Sequence, residues 1–503
     1  MQFSQRFILS LSLLMNTRSV FAASIDQTVE LWVGPLAATL SSIVFFEVNF
    51  LGQTAPIIVL WLVVAALFFT VYLGFINLRG FGHALRIVKG DYKDPNADGE
   101  ISHFQAVSTA ISGTVGIGNI GGVAVAIGLG GPGAAFWLFL AGFLGMSTKL
   151  VECTLGVKYR RINKDGSVSG GPMYYLEMLL AEHQYPRLGK LLGAFYALAL
   201  VIGCLGIGNM FQSNQAYVQF INVTGGDQSF FGERGWLFGL ILAITIGVVI
   251  IGGIRSIAKV ASKIVPFMGI LYVVSALAIL MMSAEYLPGA IALIISDAFS
   301  SQSATGGMVG AMIIGFQRAV FSNEAGIGSA SIAHSAVQTD EPASEGLVSL
   351  LEPFIDTVVI CSLSSLVIVA TAYPSGLMET GLEGIELTSA AFEHHISWAP
   401  YPLALAGILF AFSTILAWSY YGLQGWLYLV GDSLKAQLAF KFVFCAFVML
   451  GSTIQLTAVL DFSDAMVFLI SVPNIIGLYF FAPVVKREVH LYLEKIRRAQ
   501  AES

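Results

Sequence analysis

Long apolar runs separated by short polar connections set the pattern of this chain. Runs of bilayer-spanning length fall at about 55–78, 104–129, 133–157, 191–220, 236–254, 262–283, 306–332, 347–373, 397–430, 436–456 and 463–485. A helix rises about 1.5 Å per residue, so roughly 20 apolar residues cross a hydrocarbon core about 30 Å thick. The pattern therefore predicts an all-α polytopic membrane protein of about eleven spans. Threading the runs alternately gathers the loops 79–103, 158–190, 255–261, 333–346 and 431–435 with the tail 486–503 on one side. That side holds most of the Lys and Arg, among them Arg79, Arg86, Lys158, Arg160, Arg161 and Arg255, while the opposite loops offer little beyond Arg234. Positive charge marks the cytoplasmic side, which predicts the mature N-terminus outside and the C-terminus inside.

Ahead of the first span, residues 1–23 have the make-up of a secretory signal: Arg6, a short apolar stretch, then Val20-Phe21-Ala22 before Ala23. Residues 24–54 follow as a periplasmic or interfacial segment, with an interfacial helix expected over 26–47. Two outer connections are long. Residues 284–305 have room for a short helix over Gly289–Ser300, and 374–396 is polar, acidic and long enough to gate a site.

Polar and glycine positions inside the apolar runs carry more information than the runs. Ser112 to Ala124 reads Ser-Gly-Thr-Val-Gly-Ile-Gly-Asn-Ile-Gly-Gly-Val-Ala, and each glycine costs a helix about 1 kcal/mol relative to alanine. In lipid a helix can open only where its freed backbone lines a cavity or is shielded by protein. A helix broken between Thr114 and Asn119 is expected. Five spans on, Phe321-Ser-Asn-Glu-Ala-Gly-Ile-Gly-Ser-Ala repeats the Gly-Ile-Gly core. Glycine-interrupted spans at matching positions of two halves point to a transporter built from repeats, and an odd repeat of five inverts the second half. Close packing of small residues would explain the glycines, but not the Asn and Glu among them. After such a break the restarting helix turns N–H groups and its positive dipole end toward an anionic group, with Thr114 and Asn119 beside it.

Composition narrows the class. Hydrophobic residues make up 56% of the chain and charged residues 11%, against about a quarter charged in soluble domains. The basic residues form no aromatic-interleaved patch, so nucleic-acid binding is not expected. Cys153, Cys204, Cys361 and Cys445 sit in or beside apolar runs without ligand spacing. Gly116-Ile-Gly118-Asn-Ile-Gly121 matches a dinucleotide fingerprint in letters, but lies in a span where no β-strand can precede it. Asp94-Pro-Asn96-Ala-Asp98-Gly99 resembles the front of a calcium loop, yet Gln105 stands where a bidentate Glu is needed, which leaves a polar turn. No nucleophile–base arrangement suggests an enzyme. His334, just beyond the second glycine region, is the histidine of interest.

Several polar side chains within spans are candidates for a site. Asn209, Gln212 and Gln215 follow a further Gly-Ile-Gly-Asn, and uncharged amides suit an ammonium group, although they serve equally to bond helix to helix. Thr414 and Trp418 are four apart and share a face. Trp418 and Phe211 suit walls that admit only a small side chain, though Trp418 also suits plain packing. Arg318, Glu324 and Asp356 are charged residues in spans and so candidates for gating or ion pairing, with a proton relay possible for either acid. Lys149 and Glu152, three apart, are expected to pair.

With these residues in view, the chain resembles the alanine/glycine:cation symporter family, sodium-coupled amino-acid importers with a LeuT-like fold. The likeness is carried by Gly99-Glu-Ile-Ser-His-Phe-Gln-Ala, Gly-Thr-Val-Gly-Ile-Gly-Asn-Ile, Gly170-Gly-Pro-Met-Tyr-Tyr, Gly208-Asn-Met-Phe-Gln, the 321–330 segment, Glu352-Pro-Phe-Ile-Asp-Thr, and Ser413-Thr with Trp418-Ser-Tyr-Tyr-Gly. It covers about 55–485. It implies a 5+5 inverted-repeat bundle, with 55–78 as an extra helix, 104–283 as the first repeat, and 306–456 with 463–485 as the second. It implies a substrate site of Thr114, Gly116, Gly118, Asn119, Phe211, Gln212, Gln215, Thr414 and Trp418, and favours Gln212 in particular. It implies a sodium site of Ser413 and Thr414 with the carbonyls of Thr114 and Val115. The ligands implied are alanine or glycine and sodium, within the bilayer of a bacterial inner membrane and without an obligate protein partner. A proton-coupled carrier or a gated channel are the alternatives.

Overall fold

The computed structural model describes residues 35, 38–50, 53–300, 307–453 and 457–502. The signal segment and half of the expected interfacial helix (26–34 and 36–37) lie outside them; of the described half, residues 38–44 are helical, as expected. Where that segment reaches the described residues it runs into an antiparallel hairpin, β1 (Glu47–Phe50) against β2 (Gln53–Pro56), with Glu47 opposite Pro56. This departs from the all-α expectation. A second small hairpin, β3 (Arg161–Ile162) and β4 (Val168–Ser169), turns at Gly166 with φ of 79° in a basic-side loop.

Each of the eleven apolar runs becomes helix, in three ways. Seven helices among the described residues are long and apolar enough to cross a membrane by length and composition. Two runs form single shorter helices, α1 (Ile57–Tyr72, 16 residues) and a 17-residue helix at Gly235–Ile251. The other two are interrupted. The first gives α2 (His103–Thr114), a single 3₁₀ turn at Ile117–Asn119 and α3 (Gly121–Gly130). The second gives a helix at Gly307–Asn323, here α9, then irregular backbone and the short α10 (Ala330–His334).

The remaining long helices are α4 (Gly133–Lys158), α5 (Pro186–Val223), α7 (Gly253–Met282), α11 (Pro342–Ala372), α13 (Pro400–Val430), α14 (Leu434–Gly451) and α15 (Thr457–Glu502), with α6 for the helix at Gly235–Ile251. Two of them act as hubs. Helix α4 packs against α9, α1 and α11, and α13 packs against α5, α7 and α2. The breaks lie between these groups. Helices α5 and α11 each contain a π-helical stretch, at Gly206–Met210 and Phe354–Cys361, where an extra residue re-aims side chains.

Both long connections expected on the outer side contain helix. One forms α8 (Leu287–Ala298), close to the helix expected at 289–300. The other forms α12 (Gly384–His395), which packs on α3, and its Thr388 hydroxyl donates to the Ile120 carbonyl at 3.1 Å. On the basic-loop side, the strand-like bridge Ile101–Val337 ties the entry of α2 to the exit of α10. Arg160 caps this join by donating to the carbonyls of Asp98, Ser335, Val337 and Thr339 at 2.5–2.9 Å.

Candidate functional site

The first break begins where Val115 takes an extended conformation and Gly116 follows at φ −127°, ψ −166°. The restart is later than expected, at Gly121, because the 3₁₀ turn Ile117–Asn119 intervenes. Side chains from other helices accept the task of the missing helical bonds. Ser364 donates to the Asn119 carbonyl at 2.7 Å, and Thr414 to the Val115 carbonyl at 3.5 Å. The Ile117 N–H reaches Gln212 Oε1 at 3.5 Å.

In the second break Glu324 adopts φ of 56°, a left-handed conformation unusual outside glycine, followed by Gly326 and Gly328 at φ of 95° and 87°. Its freed backbone is also satisfied by protein. Glu152 accepts from the Gly326 N–H at 2.8 Å, Asn474 donates to the Gly326 carbonyl at 2.9 Å, and Tyr196 donates to the Ile327 carbonyl at 3.1 Å. Glu152 is thus a backbone acceptor and not the partner of Lys149, which pairs instead with Glu352 at 2.9 Å. The spacing of three satisfied helix geometry, but tertiary packing offered Lys149 the better-placed carboxylate.

Between the breaks lies a cavity of about 20 Å³, lined by Gly113, Thr114, Gly116, Gly118, Ile207, Gln212, Phe321, Ser322, Glu324, Thr414, Trp418 and Val467. Water occupies roughly 10–15 Å³ by this measure, so the space suits a very small body. The approach is close: a Cβ on Gly116 would stand 3.0 Å from Thr414 Oγ1 and 3.2 Å from Gln212 Oε1. The Glu324 carboxylate accepts from Trp418 Nε1 at 3.1 Å and from the Ser329 hydroxyl.

Of the residues singled out from sequence, Thr114, Gly116, Gly118, Gln212, Thr414, Trp418 and Glu324 meet at this cavity. Asn119 does not line it. Its Oδ1 accepts from the Gly116 N–H at 2.8 Å and its Nδ2 donates to Asp356 Oδ1 at 2.5 Å, which makes it a strut of the break. Phe211 sits behind Phe321, ring centroids 6.3 Å apart and nearly perpendicular, and Gln215 bonds Asn214. The Ser413 hydroxyl donates to the Phe410 carbonyl at 3.0 Å and lies 3.4 Å from Met268 sulfur. Arg318 lies over the Phe321 ring and forms no ion pair with Glu324, Asp356 or another described residue.

Asp356 has the larger structural part. Its buried carboxylate accepts from Asn119 of the first break, from Ser322 at the lip of the second at 2.9 Å, and from its neighbour Thr357 at 2.6 Å. Among the described residues no Lys, Arg or His lies within ion-pair distance of it. One carboxylate, bonded only by neutral donors, therefore joins the two breaks. Sequence reading missed Gly113, Ile207, Phe321, Ser322 and Val467 as lining residues. Phe321 and Ser322 stand in the second glycine motif, so a signal existed; Val467, in an unremarkable apolar stretch, had none.

Two opposed broken helices around a small polar cavity near the middle of a helical bundle define a secondary membrane transporter. The fold agrees with the crystal structure of MhsT in complex with L-phenylalanine, at TM-score 0.56 and 16% identity over 78% of this chain and 99% of that one. The chain belongs to the sodium:alanine symporter family, whose profile matches residues 38–503. It is 38% identical to the sodium/alanine symporter AgcS of Methanococcus maripaludis, over 89% of this chain and 96% of that protein. It is 32% identical to the probable sodium/glutamine symporter GlnT of Bacillus subtilis, over 86% of each. The protein is accordingly a multi-pass membrane amino-acid transporter and not an enzyme.

Proposed function

We propose that the chain imports alanine or glycine by symport with sodium, alternating access to the cavity between its two broken helices. The observation that carries this reading is the chemistry of the cavity wall. The Glu324 carboxylate, the Gln212 amide, the hydroxyls of Thr114 and Thr414 and the opened Gly116–Gly118 backbone all line it, with Gln212 Oε1 already against that backbone. That set suits a zwitterion, with its ammonium toward Glu324 and Gln212 and its carboxylate toward the backbone N–H groups and hydroxyls. The cavity is about 20 Å³ and has the bulky Trp418 and Phe321 in its lining, so a side chain beyond a methyl group has little room.

The oxygens around the break also fit a hard cation, which takes carbonyl, hydroxyl and carboxylate ligands. Thr414 Oγ1 and the Val115 carbonyl are already within 3.5 Å of one another, with Thr114 in the same turn and Ser413 adjacent. Asp356, with no cationic partner among the described residues, offers a second position near Asn119 and Ser322. When bound, sodium supplies the positive charge that balances opened carbonyls and a buried carboxylate. Each ligand then raises the affinity of the other, by the same factor in both directions. Asp356 also favours a second reading, in which a proton and not sodium neutralises it.

The topology that goes with this function is eleven spans, N-terminus outside and C-terminus inside, in a bacterial inner membrane. It has 55–78 as an extra helix, 104–283 as one five-helix half and 306–456 with 463–485 as its inverted counterpart. Labelled alanine uptake into proteoliposomes tests it: a sodium gradient should drive saturable accumulation. Thr414→Val should raise the sodium concentration for half-maximal uptake by about ten-fold, one cation–hydroxyl contact being worth about 1.4 kcal/mol. Equal uptake without any sodium gradient would refute sodium symport, and uptake following a proton gradient alone would replace the ion.

A further inference from the structure

On the basic-loop side of the cavity, five titratable side chains form one connected buried chain. His103 at the start of α2 bonds Glu345 through Nδ1. The other oxygen of Glu345 meets His334 Nδ1 at 2.6 Å. His334 Nε2 faces Glu352 Oε2 at 3.6 Å, within ion-pair range but too long for a hydrogen bond, and Glu352 Oε1 takes Lys149 Nζ at 2.9 Å. The His103 side chain is 8% exposed and the other four are fully buried.

The elements joined make the cluster more than a packed ion pair. His103 belongs to the inner half of the first broken helix and His334 ends the inner half of the second. Both are held by one carboxylate, that of Glu345 on α11. The other charges in the neighbourhood have partners of their own. Glu152 is bonded to Gly326 and Asn474, Glu324 to Trp418 and Ser329, and Arg160 to four backbone carbonyls. Cys153, buried beside Glu352, is a free cysteine. With Lys149 charged and both glutamates ionised, the five-residue set carries one uncompensated negative charge, and a single proton on the histidine pair balances it. His334 is the ring for that proton. Both its nitrogens face carboxylate oxygens, which suits an imidazolium that turns an N–H toward each, whereas a neutral ring would turn a lone pair on one of them.

We propose that the His103–Glu345–His334–Glu352–Lys149 chain is a proton-binding site whose loaded form fastens the inner halves of both broken helices to α11, and whose discharge lets that side open. His103, 8% exposed, is the end of the chain nearest solvent. Without the His334 proton two buried carboxylates face a neutral ring, and the fastening between α10 and α11 loses its charge attraction. The inference rests on the alternating-access reading, and it adds a proton-controlled inner step to transport driven by another ion.

The test reads opening directly and does not depend on uptake. A reporter cysteine is introduced by Ser344→Cys beside the chain, and its labelling by a membrane-impermeant maleimide is followed between about pH 6 and pH 9, the range in which histidine titrates. The rate is divided by that of the same reporter in a His334→Gln background, which removes the pH dependence of thiol reactivity itself. The ratio should rise with pH by up to about ten-fold per unit, the limit for one linked proton. Glu345→Gln, which keeps the shape but not the charge, should flatten the ratio, and it replaces His334→Gln as the reference background if that protein folds poorly. A pH-independent ratio in the otherwise native protein, or an unchanged pH profile in Glu345→Gln, overturns the proposal. Sodium-dependent alanine binding measured by calorimetry on the same proteins reports separately on the transport reading.

Discussion

Gly208→Ala is the sharpest probe of how the cavity is held together. Gly208 lies in the π-helical stretch of α5, and an added Cβ would fall against the Cβ and ring of Trp418, closer than real contacts allow. The substitution gains about 1 kcal/mol of helix propensity. Against it stands overpacking of about 1–3 kcal/mol. Trp418 is the movable partner, and moving it breaks the 3.1 Å bond from Nε1 to Glu324, the carboxylate that lines the cavity. A hydrogen bond to a carboxylate is worth about 1.5 kcal/mol at the lower end, so alanine affinity should fall about ten-fold. Gly203→Ala in the same helix is the control, because there a Cβ meets Met466 Cβ at 3.5 Å and Ile470 Cδ1 at 3.6 Å, ordinary contact. The assay is calorimetric alanine binding at saturating sodium, with thermal unfolding recorded for both variants. Gly203→Ala should bind as the native protein does and melt no lower. Equal alanine affinity in the two variants would refute the idea that Trp418 positions Glu324.

Asp356→Ala leaves the donors of Asn119, Ser322 and Thr357 without an acceptor at about 1–3 kcal/mol each, so a marked fall in melting temperature is expected. Asp356→Asn retains an acceptor oxygen and should melt near the native protein while its sodium titration of alanine binding weakens; a native titration would remove Asp356 from the ion site. Outside the spans, burial, and then the neighbouring Arg86, hold His83 below the ordinary histidine pKa, and its Nε2 bonds the Tyr492 hydroxyl at 3.0 Å on the C-terminal extension of α15. The folded state therefore resists taking up that proton. The bond is stable above the ordinary value of about 6.5 and weakens as pH falls below it. Limited proteolysis of the 486–502 end should accelerate on acidification in the native protein and much less in His83→Gln; equal acceleration would count against the coupling.

Much of the protein was legible in one dimension because membranes restrict the options. An apolar run of 20 residues can only be a helix, so the runs located the helices. A glycine cluster with an Asn inside such a run can only be a break, so 112–124 and 321–330 located the two openings. Thr114, Gln212, Thr414 and Trp418 were legible as polar or bulky residues with a reason to face inward. Spacing could not say which polar residue faces the cavity and which braces it. Asn119 looked like a ligand and is a strut. Glu324 and Asp356 looked alike, yet one lines the cavity and the other joins the breaks from behind. Lys149 sits three residues from Glu152 and pairs with Glu352, which is 203 residues away.

The reason is common to these cases. Hydropathy and helix-breaking act along the chain, within a turn or two, and are written in local sequence. The direction of a side chain at a break depends on π-helical stretches, on left-handed residues such as Glu324, and on which distant helix supplies the missing backbone partner. The sequence by itself determined a bundle of membrane helices opened at two points. Only the tertiary structure decided that the two openings share a cavity, that Glu324 faces it, and that Glu345 holds His103 and His334 on one carboxylate.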